Sequence, residues 1–175
     1  MSKKEVALIT GGGTGIGLAV AKKLHSMNKI VVLTGRRKEK LLSAKKKLKS
    51  RCHIIEHDIS KLDSIPSLVS EVEKSIGPIN YLINNAGMHL RKIAIETSDQ
   101  EWKDVIDTNL NSVFSLSREC AKKMIRRKSG NIILVGSVTT IMGLPDVSAY
   151  ATSKTALSGL ARTLAIELGK YSINV

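Results

Sequence analysis

The stretch TGGGTGIG, residues Thr10–Gly17, follows a short apolar run, Val6–Thr10, and opens a segment of helical spacing, Gly15–Met27. Glycine tolerates left-handed backbone and lets a ligand approach the main chain closely. A helix that starts just after such a turn presents free N–H groups and a partial positive charge, which suits a phosphate. Gly11, Gly15 and Gly17 stand in G-x-x-x-G-x-G spacing. A bare glycine motif is weak, and a purely structural turn is the competing reading. The strand-turn-helix setting near the chain's start is the context that a dinucleotide-binding turn requires. No Lys-Ser/Thr pair closes the motif, which disfavours a nucleoside-triphosphate P-loop.

Outward from this loop the pattern alternates. Ile30–Thr34, His53–Glu56, Ile79–Asn84 and Asn131–Ser137 are strand-like. Lys38–Ser50, Lys61–Ile76, Ser98–Lys128 and Ser148–Leu168 have helical spacing, and Gly169 is placed to end the last. Ser98 and Glu101 fit a capping box, in which each side chain satisfies the other's backbone N–H. Ile173–Val175 begins a further strand. Short strands alternating with helices predict right-handed βαβ units in a Rossmann-type, doubly wound parallel sheet with helices on both faces. The continuous apolar run Ile132–Val135 suits a strand buried on both faces. One α/β domain over residues 1–175 is expected.

The chain has 175 residues and a formal charge of +13. Arg36–Arg51 holds nine basic residues against Glu39, and Lys122–Lys128 holds a second basic cluster. One reading is a solvated lysine-rich surface; the other is an anion site near Arg36. Only 3% of residues are aromatic, so stacking platforms for nucleic acid are scarce and none is expected as a partner. No apolar run reaches the roughly 18 residues that span a bilayer, and no signal-peptide pattern opens the chain, so no membrane association and a cytoplasmic location are expected. Cys52 and Cys120 form no motif, and His25, His53, His57 and His89 lack metal-ligand spacing, so no metal is expected.

VSAYATSKTAL, residues Val147–Leu157, carries Tyr150 and Lys154 four residues apart. On a helix this spacing puts both on one face. An isolated phenol titrates near ~10, and a neighbouring ammonium favours the phenolate. Such a phenol can act as general acid toward a carbonyl and as general base toward an alcohol. Taken singly, a Tyr–Lys pair is a common surface contact, Ser137 a strand-end hydroxyl and Asn109 a helix irregularity or solvated amide. Together with NNAG at Asn84–Gly87 and DTNLNSVF around Asn109, in this order, they make the chain resemble the short-chain dehydrogenase/reductase family, with a 3-oxoacyl-[acyl-carrier-protein] reductase flavour.

That resemblance implies an NADP(H)-dependent oxidoreductase acting on a small-molecule ketone or alcohol. Its catalytic set would be Asn109, Ser137, Tyr150 and Lys154, with Ser137 donating to the substrate oxygen and Asn109 completing a proton relay. Lys154 and Tyr150 would also meet the nicotinamide ribose. Gly11, Gly13, Thr14, Gly15, Ile16 and Gly17 would hold the pyrophosphate. Asp58 and Ile59 would border the adenine, and Asn85, Ala86 and Gly87 would line the path to the nicotinamide. Family members that prefer NAD usually carry Asp where this chain has Gly35, and Arg36 follows, so NADP is expected over NAD. Capping of the next helix is the competing role for Asp58, shared with Ser60. Asn80 and Ser112 depart from the family's frequent residues, as does Gly136. The resemblance further implies a homo-oligomer, dimer or tetramer, through the long helix and the Tyr150 helix, where Ala149, Ala151, Ala156, Gly159 and Ala161 permit close approach. It also implies that a C-terminal, substrate-covering region and the last strands are absent from this chain; a catalytically silent NADP-binding or oligomerising fragment is the alternative.

Overall fold

The computed structural model describes residues 5–175. Six parallel strands form one sheet: β1 (Val6–Thr10), β2 (Ile30–Gly35), β3 (Cys52–Glu56), β4 (Ile79–Asn84), β5 (Gly130–Leu134) and β6 (Ile173–Asn174). Their spatial order is β3-β2-β1-β4-β5-β6, so the chain reverses direction of travel across the sheet between β1 and β4. Ligands in such sheets bind at the strands' carboxyl ends, at that switch point.

Strand alternation sends successive side chains to opposite faces. Val6 and Leu8 therefore join a core under helices α3 (Ile65–Ser75), α5 (Ser112–Arg127) and α6 (Ser148–Gly169). Ile9 joins Val31, Leu33 and Ile83 in the opposite core, under α1 (Gly15–Ser26) and α2 (Lys38–Leu48). With both faces covered, β1 and β2 read as unbroken apolar runs, as expected for central parallel strands.

Four boundaries differ from the sequence expectation. The stretch before α3 is a 3-10 turn, Leu62–Ser64, and the helix starts at Ile65 with Pro66 in its first turn. Proline is tolerated there because its missing N–H has no intrahelical partner in any case. The long helical stretch is capped by Ser98 and Glu101 as expected, but α4 (Asp99–Ile106) is joined to α5 through a π-helical turn, Asp107–Asn111. Strand β5 stops at Leu134 rather than Ser137: its partner β4 ends opposite it at Asn84, and the Val135 carbonyl accepts a hydrogen bond from Lys154. Gly169 is the last residue of α6, one past the expected end, and the left-handed turn follows at Ser172, with φ +58°.

Substituted family positions keep structural work. Asn80 Oδ1 accepts the Val6 N–H at 2.9 Å, fixing the start of β1. Ser112 Oγ donates to the Thr108 carbonyl at 2.6 Å beside the π turn, a back-bond of the kind that bends helices. Both cysteines are free and buried, as a packing role requires; burial pushes the Cys52 thiol up to about 11 and the Cys120 thiol higher.

A clamp holds the entrance to β4. Glu73 accepts a two-pronged bond from Arg127 at 2.7 and 3.1 Å and also takes the Ile79 N–H, while Arg127 donates to the Ile79 carbonyl. Both side chains are mostly buried. Removing one partner leaves the other charge poorly solvated. Glu73→Ala is therefore expected to cost about 2 kcal/mol of stability, read as a lower urea midpoint with an unchanged slope.

Candidate active site

The site is built at the carboxyl ends of β1 and β4. Thr10 Oγ1 accepts the N–H groups of both Asn85 and Ala86, at 3.0 and 2.9 Å. Asn85 Nδ2 returns two bonds, to the Thr10 and Gly11 carbonyls at 3.0 and 3.3 Å. The glycine turn is thereby bound to the segment after β4. Gly11 has φ +64°, and a Cβ there would stand 2.9 Å from Asn85 Nδ2 and 3.1 Å from Ala86 Cα. A Cβ on Gly17 would lie 2.5 Å from the Gly11 carbonyl oxygen, so α1 can approach the turn only with glycine at this place.

Above this joint lies a cleft of about 510 Å³. Gly11, Gly13, Thr14, Gly15 and Ile16 line its floor, as the sequence suggested. Asp58 and Ile59 line one end, and Asn85, Ala86 and Gly87 the opposite wall. Gly17 does not line the cleft: it is buried, and its part is the close packing just described. Gly15 has φ +52° with open space where a Cβ would point. A left-handed glycine at a helix start that faces an open cleft fits a pyrophosphate.

The basic end of the cleft holds Arg36 with Arg37 and Lys40. Arg37 donates to Thr14 Oγ1 at 3.3 Å, linking this end to the glycine turn. Asp58 caps no helix. Its Oδ1 accepts the N–H and hydroxyl of Ser60 at 3.1 and 2.8 Å, forming a local turn. Burial opposes ionisation of Asp58, but the Ser60 bonds and the charges of Arg36 and Lys61 outweigh it and hold the carboxyl below its ordinary value.

Beyond Gly87 the second group converges. Lys154 is buried, and its Nζ donates to the Val135 carbonyl at 2.7 Å. Burial pushes its ammonium below the ordinary lysine value. The same Nζ lies 5.9 Å from the Tyr150 ring centroid, within reach of a cation–π contact. A Cβ on Gly87 would lie 3.4 Å from Asn109 Oδ1 and 3.7 Å from Lys154 Nζ, so this glycine leaves the space between them open. Asn109 is fully buried on the π turn rather than solvated. Its amide accepts the Met88 N–H at 2.6 Å and donates to the Met88 carbonyl and to Ser153 Oγ at 2.9 and 3.0 Å.

Ser137 stands just past β5, at the head of a short 3-10 turn. Its Oγ accepts the Thr139 N–H at 3.2 Å, which leaves its own proton available to donate. Among the described residues no hydrogen bond joins Ser137 to Tyr150; α6 bonds to the segment around Ser137, through Lys154 to Val135 on one side and Thr155 to Thr139 on the other. The sequence reading missed Thr10, Met88 and Ser153, which make the joints. Position was the only available signal: Thr10 ends β1, and Ser153 precedes Lys154 on the Tyr150 helix.

The family model described as short chain dehydrogenase matches residues 5–175. This chain belongs to that family. Among its curated relatives, nodulation protein G of Rhizobium sp. (strain N33) is 36% identical over 169 residues, covering 97% of this chain and 69% of that protein. The 3-oxoacyl-[acyl-carrier-protein] reductase of Buchnera aphidicola subsp. Baizongia pistaciae is 35% identical over 175 residues, covering 98% of this chain and 71% of the relative. A solved structure of gluconate 5-dehydrogenase from Burkholderia cenocepacia, in complex with NADP and tartrate, superposes with a TM-score of 0.91 at 28% identity, over 97% of this chain and 68% of that one. The short-chain dehydrogenase chain described here thus spans about two thirds of the length of the relatives it matches.

The contact at Gly17, beneath this dehydrogenase's cleft, is the least forgiving of those that hold the glycine turn. Gly17→Ala forces the turn away from α1, with overpacking worth about 1–3 kcal/mol. Calorimetry is expected to record a lower Tm, together with loss of nucleotide-induced stabilisation.

Proposed function

We propose that this chain is an NADP(H)-dependent oxidoreductase that transfers a hydride between the nicotinamide and a ketone or alcohol, with Tyr150 as general acid and base. The observation that carries this reading is the buried Lys154 ammonium, anchored on Val135, beside the Tyr150 ring and next to Gly87 of the glycine-lined cleft. The dinucleotide, when bound, supplies the hydride; the protein supplies position and charge. Lys154 spends one N–H on Val135, so two more remain for ribose hydroxyls and for stabilising a phenolate. Tyr150 would give its proton to the forming alkoxide, and the free Ser137 proton would steady the same oxygen. Asn109 would then serve the proton path while its side chain holds the Met88 backbone.

NADP is favoured over NAD because Arg36 lines the cleft, with Arg37 and Lys40 beside it and Gly35 in place of an acid. A guanidinium can grip a 2′-phosphate with two parallel bonds. The NADP complex of the Burkholderia relative supports the same choice. The relatives' names divide between an oxoacyl thioester and a sugar acid, so a small ketone is the class proposed. A homo-oligomer assembled through α5 and α6 belongs to the same proposal; Ala149 has no part in that face, because it is buried within the chain.

Two variants test this. Tyr150→Phe is expected to lower ketone-dependent NADPH oxidation by about 10²–10⁴-fold while NADPH still binds in a fluorescence titration. Undiminished turnover would overturn the reading; NADPH binding without turnover in the parent chain would favour the silent-fragment alternative. Arg36→Ala is expected to weaken NADPH by at least about tenfold and to leave NADH affinity nearly unchanged.

A further inference from the structure

We propose that His89 is a positioning residue for Tyr150: its imidazole, presented by the pairing of Asn109 with Met88, holds the phenol ring in its working orientation. This rests on Tyr150 being the acid and base. The two ring centroids are 4.7 Å apart with a tilt of 50°. That separation falls within the roughly 4.5–7 Å range of interacting aromatic pairs.

The contact needs an explanation, because His89 is exposed and sits in a loop. Among the described residues its ring makes no hydrogen bond, so its own side chain does not anchor it. The anchor is the residue before it. Met88 has both its N–H and its carbonyl taken by the amide of Asn109, at 2.6 and 2.9 Å. That amide is fully buried and cannot exchange these bonds for water. Its nitrogen also donates to Ser153 Oγ at 3.0 Å, and the Ser153 hydroxyl donates to the Tyr150 carbonyl at 2.7 Å. One amide therefore holds the backbone on both sides of the ring contact: the loop that carries His89 and the helical turn that carries Tyr150.

The rest of the loop is fastened in the same direction. The Lys92 N–H donates to the Asp146 carbonyl at 2.7 Å, and Lys92 pairs with Val147 just ahead of α6. Lys92 Nζ binds Glu101, whose carboxyl the Ser98 N–H, Lys92 and the Ser98 hydroxyl hold down to about 2. The loop after β4 is thus attached to the start of the Tyr150 helix at a second point. Lys154 approaches the Tyr150 ring from its fixed seat on Val135, and His89 adds a second, aromatic contact to the same ring.

The test compares the parent chain, His89→Ala and His89→Phe in ketone-dependent NADPH oxidation and in NADPH titration. His89→Ala is expected to lower kcat about tenfold with unchanged NADPH affinity, because a misplaced reacting group loses rate rather than cofactor binding. His89→Phe, which keeps a ring without the imidazole nitrogens, is expected to return kcat to within about threefold of the parent. Unchanged kcat in His89→Ala, or a His89→Phe variant as slow as His89→Ala, would overturn the proposal. Proton NMR gives a readout that needs no turnover. The His89 imidazole signal, identified by its loss in His89→Ala, is expected to stand upfield of the other histidines and to rejoin them in Tyr150→Ala. An undisplaced signal would overturn the contact. A parent that turns over without any His89 effect sinks the positioning role alone, whereas a parent with no turnover sinks the oxidoreductase reading beneath it.

Discussion

The hydroxyl of Thr10 receives two backbone N–H groups from the far side of the strand reversal, and the cleft depends on that joint. In a doubly wound sheet the strands on either side of the switch point are followed by connections that lead away in opposite directions, which opens a crevice there. Thr10 and Asn85 fasten its two walls with four hydrogen bonds. The Asn85 amide sits where a side chain on Gly11 or Gly17 would have to go, so the glycines and the asparagine occupy one shared space. The proposed phosphate site thus rests on packing that fixes helix α1 against the turn.

The second half of the site follows from the first. Past Asn85 the chain runs through Gly87 to Met88, where Asn109 takes over as anchor. Asn109 can face inward here because the π turn shifts the helix register between α4 and α5. Such turns are rare and gather at functional sites. The Ser153 bond then carries the constraint to α6, and Lys154 carries it to β5. Four elements are held by buried polar contacts whose loss would leave unsatisfied groups, which costs more than the bonds themselves contribute.

Much of this was legible in the residues. The glycine loop, the strand alternation and the Tyr150–Lys154 spacing depend on local periodicity, which sequence reports directly. The end of β5 was not legible, because Val135 gives its carbonyl to a lysine 19 residues on rather than to a neighbouring strand. Nor was the π turn, since DTNLN carries no proline or glycine to mark it. Asn109 stood out by its motif, yet its partner Met88 is a main-chain group and has no sequence signature. In the sequence His89 is only a histidine without metal-ligand spacing. What hid it is that its environment is set by a tertiary contact across 61 residues of chain.

The Thr10 hydroxyl holds the cleft together. NADPH titration of Thr10→Val measures it most directly, because valine keeps the shape and removes the acceptor. Two half-buried N–H groups would then lack their partner, a loss of about 1–3 kcal/mol. At least about a tenfold weaker Kd for NADPH is expected, in a chain that still melts cooperatively. An unchanged Kd would contradict it.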